Sequence, residues 1–268
     1  MSLPTTVLTE LRELASRLAR EGGQIAQRGL REQQRPAGDT KSSRTDLVTE
    51  FDRAAEAHIV GEIRRLRPDD AIVGEEGTSD DGTSGFAWFI DPIDGTTNFV
   101  YDQPAWSCSI GVAHDGEMVA AAVYVPPSDE LFSAALGGGA TLDGDPIEAS
   151  RETDLALALI GTGFSYDATT RVHQAEVVTA LIAQVRDIRR LGSAALDLCM
   201  VACGRLDGYY ERHLNSWDAA AGELIAREAG AVTSDFAGRP PRPAEMLAAA
   251  PGVHAALLTA LATVDPSR

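Results

Sequence analysis

Cysteine is scarce, basic charge is outweighed, and no apolar run is long. The three cysteines, Cys108, Cys199 and Cys203, are an odd number and too few for a disulfide framework. Cys199 and Cys203 stand one helical turn apart, but no further ligands accompany them, so they read as small core residues. No uninterrupted apolar stretch reaches the ~20 residues that span a bilayer. Met1-Ser2-Leu3-Pro4 lacks the basic and apolar segments of a secretory signal. A reduced, cytoplasmic protein is expected. Basic residues number 23 against 40 acidic ones, a formal charge of −17 at pH 7. That balance argues against nucleic acid and anionic membranes as partners. An anionic small molecule fits only where cations neutralise the site locally.

Fixed-period repeats and low-complexity segments are missing too. What remains, 268 residues of which 44% are hydrophobic, can bury a large core. Leu8, Leu11, Leu14, Ala15 and Leu18 recur at helical spacing, predicting a helix over 5–21 that stops at Gly22-Gly23. A polar segment, 31–45, precedes a second amphipathic helix over 49–66. Short strands are expected at 71–73 and 86–90, then at 105–113, 117–125 and 130–135, with a turn at Gly137-Gly138-Gly139. The later half alternates strands at 157–160, 187–190 and 206–211 with helices at 168–186, 192–203, 216–229 and 252–263. Helices, an antiparallel-looking sheet, then alternating strands and helices predict a layered mixed α and β fold. Gly161-Thr162-Gly163 lacks the continuation of a dinucleotide or P-loop site and reads as turn punctuation. The five histidines show no metal-ligand spacing, and His213 reads as peripheral.

The chemistry concentrates in Asp91-Pro92-Ile93-Asp94-Gly95-Thr96-Thr97, directly after the apolar strand. Two acids three residues apart at a strand end can converge on one point. Gly95 and Thr96 then open a turn or short helix whose N–H groups suit an anion. The segment is not an EF-hand loop, since neither the alternating acids nor the twelfth-position Glu is there. Glu75 follows the strand 71–73 through Gly74, which lets the backbone turn tightly; spacing alone does not separate it from Glu76. Asp218 opens the helix beyond Trp217, where it could equally be a first-turn acid that favours the helix dipole.

Gly74-Glu75-Glu76, the 91–97 segment and Trp217-Asp218-Ala219-Ala220-Ala221-Gly222 resemble, in order and spacing, the three signature motifs of the inositol monophosphatase family, in its bacterial, actinobacterial-type form. Lys41-Ser42-Ser43, Asp46-Leu47-Val48-Thr49 and Asp52 resemble the family's lid and following helix. Gly192 through Asp197 and Tyr209-Tyr210-Glu211 resemble its substrate side. The resemblance implies an αβαβα sandwich in one domain over 1–268, with the metal motifs in about 1–145 and the substrate wall in 146–268.

It further implies a Mg²⁺-dependent phosphatase for a small phosphomonoester, best myo-inositol monophosphate, with two or three ions. Glu75, Asp91 and the Ile93 carbonyl would hold the first ion; Asp91, Asp94 and Asp218 the second; a third would sit more weakly near Glu75. Hard cations of this kind want oxygen ligands. Thr96, backed by Asp52, would orient the attacking water. Gly95 and Thr96 would meet the phosphate. Asp94, the Ala194 backbone, Glu211 and Asp218 would read substrate hydroxyls, because carboxylates accept from vicinal pairs. Lys41 would help close the loop, lithium would inhibit, and a homodimer is the expected assembly. Phosphatases for histidinol phosphate, fructose bisphosphate or a phosphonucleotide share this cage and are the alternatives, with a non-catalytic metal-binding regulator behind them.

Overall fold

Two sheets of unequal size alternate with three layers of helices in the computed structural model, which describes residues 3–32, 39–40 and 47–264. The first half comprises α1 (Thr5–Glu32), β1 (Asp39–Thr40), β2 (Leu47–Val48), α2 (Glu50–Leu66), β3 (Ala71–Gly74), β4 (Ser79–Asp80), β5 (Phe86–Asp94) and α3 (Thr96–Val100). β6 (Ser107–His114), β7 (Glu117–Val125), β8 (Glu130–Ala135), β9 (Ala140–Leu142) and β10 (Asp145–Pro146) complete it. The second half comprises β11 (Leu159–Thr162), α4 (Ala168–Leu181), β12 (Asp187–Arg189), α5 (Ala194–Ala202), β13 (Gly208–Arg212), α6 (Ser216–Glu228), β14 (Val232–Ser234), β15 (Glu245–Ala249) and α7 (Pro251–Val264).

The larger sheet runs β10-β9-β8-β7-β6-β5-β3-β4, antiparallel except where β3 lies parallel to β5. The smaller runs β12-β11-β13-β15-β14, with β11 parallel to both neighbours. Strand alternation serves both faces. Ala120, Ala122 and Tyr124 of β7 pack against α1 and α2, while Ala121, Val123 and Val125 pack against α5 and α6. In the smaller sheet, Met246 and Ala248 join that middle layer, and Leu247 and Ala249 face α4 and α7. The layers therefore read α1/α2, sheet, α5/α6, sheet, α4/α7, which is the expected αβαβα order.

Two expectations about glycine need correction. α1 does not stop at Gly22-Gly23 but continues to Glu32. A Cβ at Gly22 would lie 2.7 Å from Ile59 Cδ1 and one at Gly23 2.7 Å from Tyr124 Cδ1. These glycines let the helix approach α2 and β7 closely instead of ending it. Gly161-Thr162-Gly163 is likewise no turn: Gly161 and Thr162 lie in β11. α4 ends at Leu181, short of the expected 186. Among the described residues, no helix is long and apolar enough to cross a membrane. Lys41 and its neighbours in the lid-like segment, 41–46, lie outside the described residues.

Candidate active site

The strand β5 carries the centre of the site. Its pairing with β6 is regular to Asp91–Ser109, then shifts before Asp94–Ser107, so three steps on β5 meet two on β6. Such a bulge bends a strand and re-aims its side chains; here it falls on Pro92-Ile93, between the two acids. Gly95 follows at φ 94, a left-handed conformation suited to glycine, and turns the chain into α3. The result is a cavity of about 400 Å³ lined by Glu75, Asp91, Ile93, Asp94, Gly95 and Thr96 from the larger-sheet half. Ala194, Glu211 and Asp218 line it from the other half. A larger groove of about 590 Å³ lies elsewhere, between 138–151 and 228–230. Its acids are already engaged, Glu148 with Arg151 and Glu228 with the N–H groups of Gly137 and Gly139. The smaller cavity holds the convergent chemistry.

Asp91, Asp94 and Asp218 are each held by donors of their own. Asp91 is buried, and its Oδ1 accepts from the Ile93 N–H at 3.0 Å. Asp94 accepts from Ser193 Oγ at 2.6 Å and from the N–H groups of Ala195 at 2.7 Å and Ala194 at 3.3 Å, at the start of α5. Asp218 closes the capping box of α6, accepting from the Asn215 N–H at 2.6 Å. Glu75 sits just past β3, its N–H bonded to the Ile90 carbonyl at 3.1 Å. Glu75, not Glu76, lines the cavity, which separates two residues that the sequence left equivalent.

These carboxylates crowd one another. Burial first, then the charges of Glu75, Asp94 and Asp218, push the Asp91 carboxyl well above its ordinary range. Asp94 is pushed up to about 6 by burial, against the hydrogen bonds from Ser193 and Ala195. Asp218 is raised well above its usual range by burial and by Asp94's charge. The dominant influences on Asp91 are burial and other carboxylates. An all-oxygen, like-charged, buried set of this kind fits hard divalent cations, whose charge would relieve the repulsion. Among the described residues, no three His, Cys, Asp or Glu side chains are yet gathered into a closed metal cage. Asp94 and Asp218 are instead drawn toward the N–H groups of α5 and Asn215.

Below this ring lies Asp52, fully buried at the third turn-forming position of α2. Its Oδ2 accepts from the N–H and hydroxyl of Thr49, and its Oδ1 lies 3.4 Å from Thr96 Oγ1. The Thr96 hydroxyl also has the Ile93 carbonyl at 3.1 Å. Asp52 touches the cavity only through Thr96. On the far wall, Glu211 accepts from Tyr209 OH at 2.5 Å and is pushed up to about 7, chiefly by burial.

The whole of this arrangement has relatives. The chain matches the inositol monophosphatase family over residues 7–264. The chain belongs to that family. Inositol-1-monophosphatase SuhB of Mycobacterium tuberculosis is 42% identical, over 97% of this chain and 96% of the relative. A Vibrio cholerae protein named Nus factor SuhB is 42% identical over 84% of this chain and 85% of its own. The crystal structure of extragenic suppressor protein SuhB from Bartonella henselae superposes with a TM-score of 0.89, at 33% identity, covering 94% of this chain and 98% of that one. Like other members of its family, this chain is an enzyme, a phosphatase that acts on phosphomonoesters.

The expected ligands Glu75, Asp91, Ile93, Asp94 and Asp218 line this one cavity with Gly95, Thr96, Ala194 and Glu211, Asp52 lies beneath Thr96, and further residues support them. Ser193 and Ala195 hold Asp94. Arg190 lines the cavity, and its charge opposes part of the rise that burial imposes on the Glu211 and Asp197 carboxyls. Gly163 follows β11 against Glu211, where a Cβ would overlap Oε2, so this glycine makes room for that carboxylate. Glu56 stands one turn after Asp52 on the same helical face and is buried with it. His213 is exposed at the mouth, as its peripheral reading implied.

Proposed function

We propose that this chain is a Mg²⁺-dependent phosphatase that releases phosphate from myo-inositol monophosphate by attack of water. The convergence of Glu75, Asp91, Asp94 and Asp218 on one cavity beside Thr96 carries this reading. Glu75, Asp91 and the Ile93 carbonyl would hold one ion, and Asp91, Asp94 and Asp218 a second; a weaker third near Glu75 completes the set. When bound, such ions lower the pKa of water and neutralise charge on a phosphoryl group.

The chain's own residues do the rest. When the Thr96 hydroxyl donates to Asp52, its oxygen is free to accept a hydrogen bond from the attacking water and so would orient it. Asp52 stays in place because Thr49 occupies its other oxygen. The N–H groups of Gly95 and Thr96 face the phosphoryl oxygens. Glu211, fixed by Tyr209, accepts from hydroxyls of the polyol, with Asp94, Asp218 and the Ala194 backbone nearby. Direct attack by water needs no phosphoenzyme. Lithium is expected to inhibit by taking a Mg²⁺ position.

The reading extends to one catalytic domain, supported by the shared middle helical layer, and to a cytoplasmic setting, with which the three free cysteines agree; a homodimer is carried over from the family resemblance alone. The name of the mycobacterial relative favours inositol 1-phosphate. A steady-state panel of inositol 1-phosphate, histidinol phosphate, fructose 1,6-bisphosphate and a phosphonucleotide with Mg²⁺ tests it. Dominant turnover of any but the first overturns the substrate assignment. A second reading, a Nus-factor role beside catalysis, comes from the name of the Vibrio relative. An Asp94→Asn chain that keeps such a role without turnover would separate the two.

A further inference from the structure

We propose that Glu56 is a positioning residue for the first metal site, bracing the turn that presents Glu75 to the cavity. The inference rests on the metal-binding reading above. Glu56 follows Asp52 by four residues, so both carboxylates leave α2 on one face, and both are buried. Asp52 reaches Thr96, whereas Glu56 reaches the segment after β3. Its Oε2 accepts from the Glu76 N–H at 2.8 Å, and its Oε1 accepts from the Thr78 hydroxyl at 2.6 Å and the Thr78 N–H at 3.3 Å.

Three donors on two oxygens describe a carboxylate that holds a turn. The turn closes on itself through the Gly74 N–H to the Thr78 carbonyl at 2.8 Å. Its other anchor is the Glu75 N–H on the Ile90 carbonyl of β5. Glu75 is therefore gripped between β5 on one side and Glu56 on the other. Gly74 makes the grip geometrically feasible, since a Cβ there would lie 2.6 Å from Glu56 Cδ and Oε2. Glu56 does not line the cavity and so is not itself a ligand. One helix thus carries two supports at adjacent turns, one beneath Thr96 and one beneath Glu75. Supports of this outer kind orient ligands and tune the affinity of a metal site.

The test uses the full chain with Mn²⁺ as probe, in wild type, Glu56→Ala, Glu56→Gln, Thr78→Val and Asp91→Asn. The readouts are the Mn²⁺ dissociation constant by calorimetry and the melting temperature in EDTA. Glu56→Ala is expected to weaken Mn²⁺ binding by about 10- to 100-fold. Glu56→Gln, which keeps one acceptor oxygen, and Thr78→Val, which removes one donor, are each expected to weaken it by roughly threefold to tenfold. Lower melting temperatures with unchanged Mn²⁺ affinity would make Glu56 a purely structural residue and overturn the proposal. Should Glu56→Ala fail to fold, the Gln and Thr78 variants decide by the same criterion. A wild type that binds no Mn²⁺, or an Asp91→Asn chain that binds it equally well, overturns the metal reading itself and this inference with it.

Discussion

Asp52 and Thr96 stand 44 residues apart in sequence and meet at 3.4 Å, Oδ1 to Oγ1, beneath the cavity floor. Asp52 also completes the capping box of α2 with Thr49, so one carboxylate serves both the helix start and Thr96. Thr96→Ala removes the hydroxyl that joins the two. The expected result is a fall in kcat of about 10²- to 10⁴-fold, the usual contribution of a positioned proton acceptor. The inhibition constant of inorganic phosphate should stay near the wild-type value. A kcat close to wild type would remove the proposed dyad.

In the proposed function Asp94 serves both the metal and the substrate, and it receives three hydrogen bonds from the start of α5. Asp94→Asn keeps one acceptor oxygen and the side-chain volume. Circular dichroism should therefore show a folded protein while Mg²⁺-dependent turnover disappears. Full activity in this variant would mean that the second ion is held by other groups.

Stability should respond to pH in the direction set by raised carboxyls. Asp94 and Glu211 have folded-state values of about 6 and about 7, above their ordinary 3.8 and 4.5. A group raised in this way stabilises the fold fully below its unfolded value and loses that contribution as pH rises through the folded one. Metal-free protein should therefore melt at a lower temperature at pH 7.5 than at pH 5.5. Added Mg²⁺ should raise the melting temperature most at the higher pH, because binding only to the folded form stabilises it. Scanning calorimetry in EDTA and in Mg²⁺ measures both; an EDTA melting temperature that rises from pH 5.5 to 7.5 would contradict the sign.

The substrate wall can be probed through a residue that has no side chain. A Cβ at Gly163 would overlap Glu211 Oε2, so Gly163→Ala must displace the Glu211 carboxylate. The expected effect is a fall of about tenfold or more in kcat/KM for inositol 1-phosphate, the scale of one charged hydrogen bond. Turnover of p-nitrophenyl phosphate, which offers no vicinal hydroxyls, should change little. Equal losses on both substrates would show that Glu211 does more than read the polyol.

Much of the site could be read in the sequence because its chemistry is local. Asp91 and Asp94 share one strand end, Gly95 and Thr96 follow directly, and Glu75 and Asp218 each sit at an element boundary that periodicity marks. The supports were not readable in the same way. Ser193 contacts an acid 99 residues away, and Glu56 a threonine 22 residues on, and neither distance leaves a periodic trace. Glycine was the residue most easily misjudged. Gly22, Gly23 and Gly163 look like breakers, but each marks a place where another side chain needs the space. A short-range rule sees only the backbone freedom of glycine, whereas the fold uses its missing volume.

The middle helical layer lies between both sheets, and its two helices, α5 and α6, begin at the cavity with Ser193 and Asp218 in their caps. Sliding one sheet past the other would thus carry Asp218 away from Asp91 and loosen the grip of Ser193 on Asp94. Cohesion between the halves and alignment of the acids are one mechanical property, so a cation drawn into the cavity would act as a rivet through the layers.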